Sequence, residues 1–340
     1  MKEYVEKTDC MKQSRTMLIS CMSAQKQVFI TPVLRWYISE NNRHNFRVFE
    51  ITDISEFIEF VPAKSFAPFI EKGTSDRIKA DVDPAFKVNS LISKEVINSS
   101  YGRCLMNRDK HTKTSIVVND DNKLYKMINS PRFKCVDELS YDCFEIDSEL
   151  SVIHWDHPQQ VGVFVYAYAK LHMLRFFYQF IKEYIDDRCF ALLMSDTDSY
   201  YFALSEQTLD ECVKEGKREA YEKVKNHWLA TGADQQRTPG LFKVEFEGNR
   251  FIGLNSKTYC VEGTYLKVGA KGVSKVQNKL LFKNFDHVLK TSKSFYTQNR
   301  NFTLKDNQMY TSVQTKPGLQ NLYIKRRVLP DNIHTKSLIS

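Results

Sequence analysis

The sequence predicts an α+β fold in which helices and short antiparallel strands occupy separate runs of the chain, and three observations carry that expectation. Phe190–Met194 and Tyr200–Leu204 are short, aromatic-rich apolar runs separated by the turn-forming string Ser195–Ser199, which reads as a hairpin of buried strands. Just before it, Val161 to Ile185 reads as one long helix. Ala63 to Arg108 is also helical in pattern, with interruptions near Gly73–Asp76 and at Asp83-Pro84, as in two helices joined by a connector.

The remaining elements follow in order. Residues 1–62 alternate short apolar runs, Met17 to Met22, Val28 to Thr31 and Phe46 to Ile51, with a helical face at Val33, Leu34, Trp36 and Tyr37. Residues 63–112 hold the helix pair. Residues 113–158 are polar, with strand-like pieces at Ser115–Val118 and Leu124–Met127 punctuated by Asn129-Ser-Pro-Arg132 and His157-Pro158, and read as an insertion of short strands. Residues 159–263 carry the long helix, the hairpin, an amphipathic helix over Leu209–Ala230, and strands at Leu241–Phe246, Phe251–Leu254 and Thr258–Val261. Residues 264–340 form a basic lobe.

Composition narrows the function classes. With 42% hydrophobic and 26% charged residues the chain suits a soluble protein. Its 8 cysteines show no CxxC pair and no paired His/Cys spacing, which argues against a zinc site and fits a reducing, intracellular compartment. Charged residues follow Met1 where a secretory signal would be apolar. The apolar stretch within the long helix is interrupted by Lys170, His172 and Arg175, so a core helix is expected and no membrane partner. The sequons at Asn98 and Asn301 then have no expected consequence.

Charge is unevenly spread. Thr264–Ser340 holds 14 Lys/Arg against 3 Asp/Glu, while the whole chain is +8, so the positive charge belongs to the last quarter. Aromatics interleave with it at Phe282, Phe285, Phe295, Tyr296, Phe302, Tyr310 and Tyr323. Such a lobe suits a polyanion, though a solvated basic face over core aromatics would read the same way.

Two constellations could carry chemistry. Asp196 and Asp198 sit one residue apart, and in an extended segment side chains at i and i+2 point to one side, so the carboxylates can converge as hard donors for Mg²⁺ or Mn²⁺. Asp, Thr and Ser are equally ordinary residues of a solvated turn. In Lys94-Glu-Val-Ile-Asn98-Ser-Ser-Tyr101-Gly102 the ammonium, amide and phenol stand at i, i+4 and i+7 on one helical face, able to meet a phosphate chain, a sugar and a base in succession. An amphipathic helix with an exposed Lys and a packed Tyr has the same pattern.

The two segments together resemble a family B DNA polymerase. Lys94-x-x-x-Asn98-Ser-x-Tyr101-Gly is similar to that family's fingers motif, and Ser195-Asp-Thr-Asp-Ser199 to its palm motif. Lys257-Thr-Tyr259, expected on a downstream strand, resembles the KxY element of protein-primed members. Thr31–Tyr37, Asn107–Thr112, Val161–Lys170, Pro239–Lys243, Ala270–Lys275 and Tyr323–Asp331 resemble the polymerases of Polinton/Maverick elements and related viruses, so the likeness spans most of the chain.

The resemblance implies a palm, fingers and thumb architecture, in part, with an antiparallel palm sheet and helical fingers. It implies template-directed nucleotidyl transfer by a two-metal mechanism. Asp198 would be the principal ligand for Mg²⁺ or Mn²⁺ and Asp196 an auxiliary one. Lys94 and Asn98 would face the triphosphate, Tyr101 the nascent base pair, and Lys257, Tyr259 and Lys271 the DNA. Implied partners are a DNA primer-template, deoxynucleoside triphosphates, a terminal protein primer and an upstream polymerase segment. A mobile element or virus replicating in the nucleus would place it there.

Departures qualify this. The family's further metal-binding Asp, in a motif resembling DxxSLYP, is not found before Lys94, and Asp81-Val-Asp83 lacks that context. Exonuclease and priming-associated portions are not found either. Ser195 and Ser100 replace residues commonly seen at those motif positions. An isolated chain is thus expected to extend primers poorly or not at all. A catalytically inactive mobile-element remnant that binds DNA is the alternative, and a small-molecule metallohydrolase would explain the hairpin but not the helix or the basic lobe.

Overall fold

The computed structural model describes residues 28–43, 50–61, 63–64, 66–108, 111–154, 156–232, 235–305, 308–321, 326–330 and 335–337. The expected run Met17–Met22, residues 46–49 of the Phe46–Ile51 run, and Tyr323 lie outside them. The fold is mixed α+β with small antiparallel sheets. Among the described residues, no helix is long and apolar enough to cross a membrane. The chain divides into two compact units, one from residues 1–64, 167–297 and 317–340, the other from 65–166 and 298–316.

In the second unit, α2 (Ala67–Val82) and α3 (Lys87–Cys104) form a helix pair; α1 (Thr31–Arg43) belongs to the first. The break at Asp83-Pro84 is as expected. Pro84 fits the start of a short 3₁₀ turn, and the Asp83 carboxylate accepts from Ala85 N–H at 2.9 Å. The break expected near Gly73 does not occur: α2 runs through it. A Cβ on Gly73 would lie 2.5 Å from Ile97 Cδ1, so this glycine serves close helix packing.

Strands β1 (Thr112–Val118), β2 (Phe133–Ser140) and β3 (Cys143–Glu149) make an antiparallel sheet in the order β1-β3-β2, with Val117, Cys143 and Ile146 buried. Leu124–Met127 is not a strand but part of helix α4 (Asp121–Ile128). The Asp120 side chain accepts from Lys123 N–H at 2.9 Å, and that N-cap outweighs the strand-like composition.

The long helix is present as α5 (Gln159–Arg175), continued by a π-helical turn at Phe176–Ile181 and a last α turn at Lys182–Tyr184. The π turn supplies Phe176, Phe180 and Ile181 to the first unit's aromatic core, with Ile185, Cys212 and Tyr221. Phe176 stacks on Phe242 with centroids 3.8 Å apart. Leu209–Ala230 is not one helix. A 3₁₀ turn at Asp210–Cys212, an extended Val213 bridged to Ile185, and Gly216 at φ 77° leave α6 (Arg218–Val224) as its only α segment. Leu241–Phe246 is likewise not a strand, since only Phe242 bridges, to Leu229.

Hairpin β4 (Phe190–Asp196) and β5 (Ser199–Leu204) forms as expected. Alternation decides its faces: Tyr200, Phe202 and Leu204 pack on the aromatic core, while Tyr201 points the other way. β4 is less buried than its composition suggests, with Leu192 and Leu193 both exposed.

Strands β6 (Gly248–Asn255), β7 (Thr258–Gly263) and β8 (Leu266–Ala270) form a second antiparallel sheet. Ile252, Leu254 and Cys260 on one face pack with Phe282, Phe285 and Val288 of α7 (Phe282–Thr291). This core joins residues on both sides of Thr264, residues 298–316 of the expected basic lobe belong to the second unit, and Tyr296, Phe302 and Tyr310 stay exposed. Long strands β9 (Phe295–Lys305) and β10 (Gln308–Leu319) pair with each other, as do β11 (Arg326–Val328) and β12 (Thr335–Ser337).

Candidate functional site

Two hairpin tips meet. Asp196 and Ser199 close the β4–β5 turn, and Asn255 and Thr258 close the β6–β7 turn. Each turn has two residues and holds one non-glycine residue at positive φ, Thr197 at 56° and Lys257 at 61°. L-residues occupy that region reluctantly, so both tips hold locally unfavourable backbone. At the acidic tip, Asp198 N–H donates to Asp196 C=O at 2.7 Å around Thr197, which is the rarer γ-turn form.

That geometry corrects two readings. Asp196 ends a strand and Asp198 lies within the turn, so the alternation argument for convergent carboxylates does not apply across Thr197. Lys257 lies in the turn as well and not on the strand, which begins at Thr258.

What brings the acids and the lysine together is tertiary contact. Lys257 Nζ donates to Asp196 Oδ1 at 2.7 Å across 61 residues, and Thr197 Oγ1 donates to the same oxygen at 3.1 Å. Lys257 is held above the usual ammonium pKa, first by its hydrogen bond to Asp196, with charge from Asp196 and Asp198 adding to it. Both carboxylates therefore act on one ammonium. Asp198 is exposed and Asp196 half-buried, so the tip is open to ligand.

Behind the ion pair lies an aromatic contact that motif spacing did not identify. Tyr201 O–H donates to Tyr259 Oη at 2.7 Å, and the rings sit 5.0 Å apart with Phe251 alongside. Burial, followed by this bond, pushes the Tyr201 phenol well above its ordinary value. Tyr259 stands opposite Gly253 on β6 and Gly269 on β8, and a Cβ on Gly269 would come within 2.3 Å of the Tyr259 ring. The glycine makes room for the ring. Strand alternation after the half-buried, core-facing Tyr200 was the signal that could have marked Tyr201. Lys271 also reaches this tip through its backbone, N–H to the Lys257 carbonyl at 3.3 Å, with its side chain exposed.

The second constellation lies on α3. Lys94, Asn98 and Tyr101 do stand on one continuous helix, with Lys94 and Asn98 exposed and Tyr101 half-buried in an edge-to-face contact with Tyr166, centroids 5.7 Å apart. Gly102 does not end the helix, which runs on to Cys104.

Carboxylate oxygens are hard donors of the kind Mg²⁺ or Mn²⁺ takes, but Asp196 already gives Oδ1 to the Lys257 ammonium. Two carboxylates, one shared with an ammonium, do not by themselves make a two-ion centre. Among the described residues, no group of three or more His, Cys, Asp or Glu side chains is gathered to hold a metal. In comparisons with family models, curated proteins and solved structures, the chain finds no match.

Proposed function

We propose that this chain is the palm, fingers and thumb portion of a protein-primed family B DNA-directed DNA polymerase, acting on a DNA primer-template and deoxynucleoside triphosphates. One observation carries the reading. The segments resembling the palm motif and the KxY motif, distant in sequence, place Asp196 and Lys257 in direct contact. A chance pair of motif matches has no reason to meet at two adjoining hairpin tips.

In this reading Asp198 and Asp196 would hold Mg²⁺ or Mn²⁺, which when bound would supply Lewis-acid activation of the primer 3′-oxygen and charge neutralisation at the triphosphate. The chain's own residues do the positioning. Lys257, already charged and at the tip, pairs with a primer phosphate as DNA displaces part of its contact with Asp196. Tyr259, braced by Tyr201, fixes the sugar-phosphate path beside it. Lys94 and Asn98 meet the incoming triphosphate, and Tyr101 packs against the base. The basic residues after Thr264, Lys271 among them, hold the duplex as a thumb. A terminal protein primer is the further partner this reading implies.

The test is divalent-dependent binding of a deoxynucleoside triphosphate and primer extension, with and without a polymerase segment carrying the further Asp supplied in trans. Asp198→Ala should remove metal-dependent nucleotide binding and any extension, whereas binding unchanged in that variant overturns the assignment. The two-carboxylate donor set favours a second reading, DNA binding without catalysis. Salt-sensitive DNA affinity with no extension under either condition selects it.

A further inference from the structure

Residues 50–61 form no helix or strand, and every one of them is exposed. Ile51, Ile54, Phe57, Ile58 and Val61 are between 41% and 91% exposed, a large apolar surface for so short a stretch. Their spacing is helical. At 3.6 residues per turn these five fall within an arc of about 120°, while Asp53, Glu56, Glu59 and Phe60 fall outside it. Asp53 with Glu56 three residues on is the signature of a helix N-terminus, and Pro62 follows as a stop. A helix this short is marginal in water unless an apolar surface supports it. The stretch also carries Glu50, Asp53, Glu56 and Glu59 and no Lys or Arg.

A second, independent observation is the outer face of α3. Its inner face packs on α2, where Gly73 meets Ile97. On the other side Val88, Leu91, Ile92 and Val96 lie along one stripe and are 46% to 63% exposed. Lys87 stands one turn before Leu91 and Lys94 one turn after it. Together with Arg103 they outnumber Glu95, the single acid of the helix.

We infer that these two surfaces bind each other between two copies of the chain. Residues 50–61 of one copy fold as a helix along the α3 stripe of the other, and the reverse contact forms at the same time. Apolar arc meets apolar stripe, and acids meet lysines. The apolar contact alone would accept many partners, whereas the opposite charge commits each surface to the other. A two-fold pair covers both surfaces of both copies and leaves neither open to recruit a further copy. The inference does not rest on the polymerase reading, although Lys94 belongs to both.

Sedimentation velocity of the full chain over a concentration series is the test, and a dimer that grows with concentration is expected. Phe57→Ser and Leu91→Ser, both at exposed positions, should each raise the dimer dissociation constant about tenfold or more. Mixed together, the two variants should associate more tightly than either does alone, because one intact segment and one intact stripe remain between them. Only folded chains can complement in this way. A parent chain that stays monomeric, a dimer that either substitution leaves unchanged, or variants with the parent's circular dichroism that fail to complement overturns the docking.

Discussion

The hairpin tips and the α3 face differ in how their residues are held. Asp196 ends one strand, Tyr259 stands on another, and Lys257 sits in the two-residue turn before it; the other faces of these strands are packed, one against the aromatic core around Phe180 and the other against α7. Helix α3 has no fully buried residue, and Leu91, Ile92 and Val96 on it are exposed. The tips are thus positioned before any ligand arrives, whereas α3 presents its groups from a lightly anchored helix. A site made by two hairpins gains rigidity from two cores; a site on one helix face gains only helical spacing.

Substitutions can break or sharpen that contrast. The largest effect is expected from Phe180→Ala, which empties the centre of the aromatic core and should cost about 3–5 kcal/mol in urea unfolding. Ile92→Ala on α3 should change stability by less than about 0.5 kcal/mol. Equal losses would show that α3 is anchored as firmly as the tips.

Gly269→Ala comes next. The added methyl meets the Tyr259 ring, which is braced by Tyr201 and has little freedom to move, so a loss of about 1–3 kcal/mol is expected, with weaker DNA binding alongside. Unchanged stability would mean that the ring is not held in place.

The sheet beneath the Lys257 tip also has a pH signature. Burial pushes the Cys260 thiol up to about 12 from an ordinary 9.0. A raised pKa means that the folded state keeps a proton the unfolded state releases. Its contribution is fully present below pH 9 and is lost as pH climbs toward 12, about 1 kcal/mol by pH 10. Comparing thermal unfolding at pH 8 and pH 10 in the parent and in Cys260→Ala checks this, because the variant should lose that part of the pH dependence.

The smallest effect concerns Tyr201→Phe, which removes one hydrogen bond and leaves the ring. About 0.5–1.5 kcal/mol is expected in unfolding, together with a larger fractional loss in DNA affinity than in stability. A stability loss without any change in DNA binding would make the Tyr201–Tyr259 bond purely structural.

Legibility in the sequence followed the range of the cause. The β4–β5 hairpin was readable because Ser195–Ser199 interrupts two apolar runs, and the long helix because its pattern persists over many turns. The stretch Leu209–Ala230 looked helical by periodicity, yet Gly216 at positive φ and the Val213–Ile185 bridge divide it. Leu124–Met127 looked like a strand, yet the Asp120 cap makes it a helix. Gly73 looked like a break and is a packing contact with Ile97.

By itself, the sequence determined the alternation that sends Tyr200 to the core and Tyr201 away from it, the helical spacing of Lys94, Asn98 and Tyr101, and the placing of two acids at a turn. These depend on backbone geometry over a few residues. Only the tertiary structure decided that Lys257 meets Asp196 and that glycines flank Tyr259. Such contacts join residues far apart in the chain. Their energies depend on burial and distance in space, which no local pattern encodes.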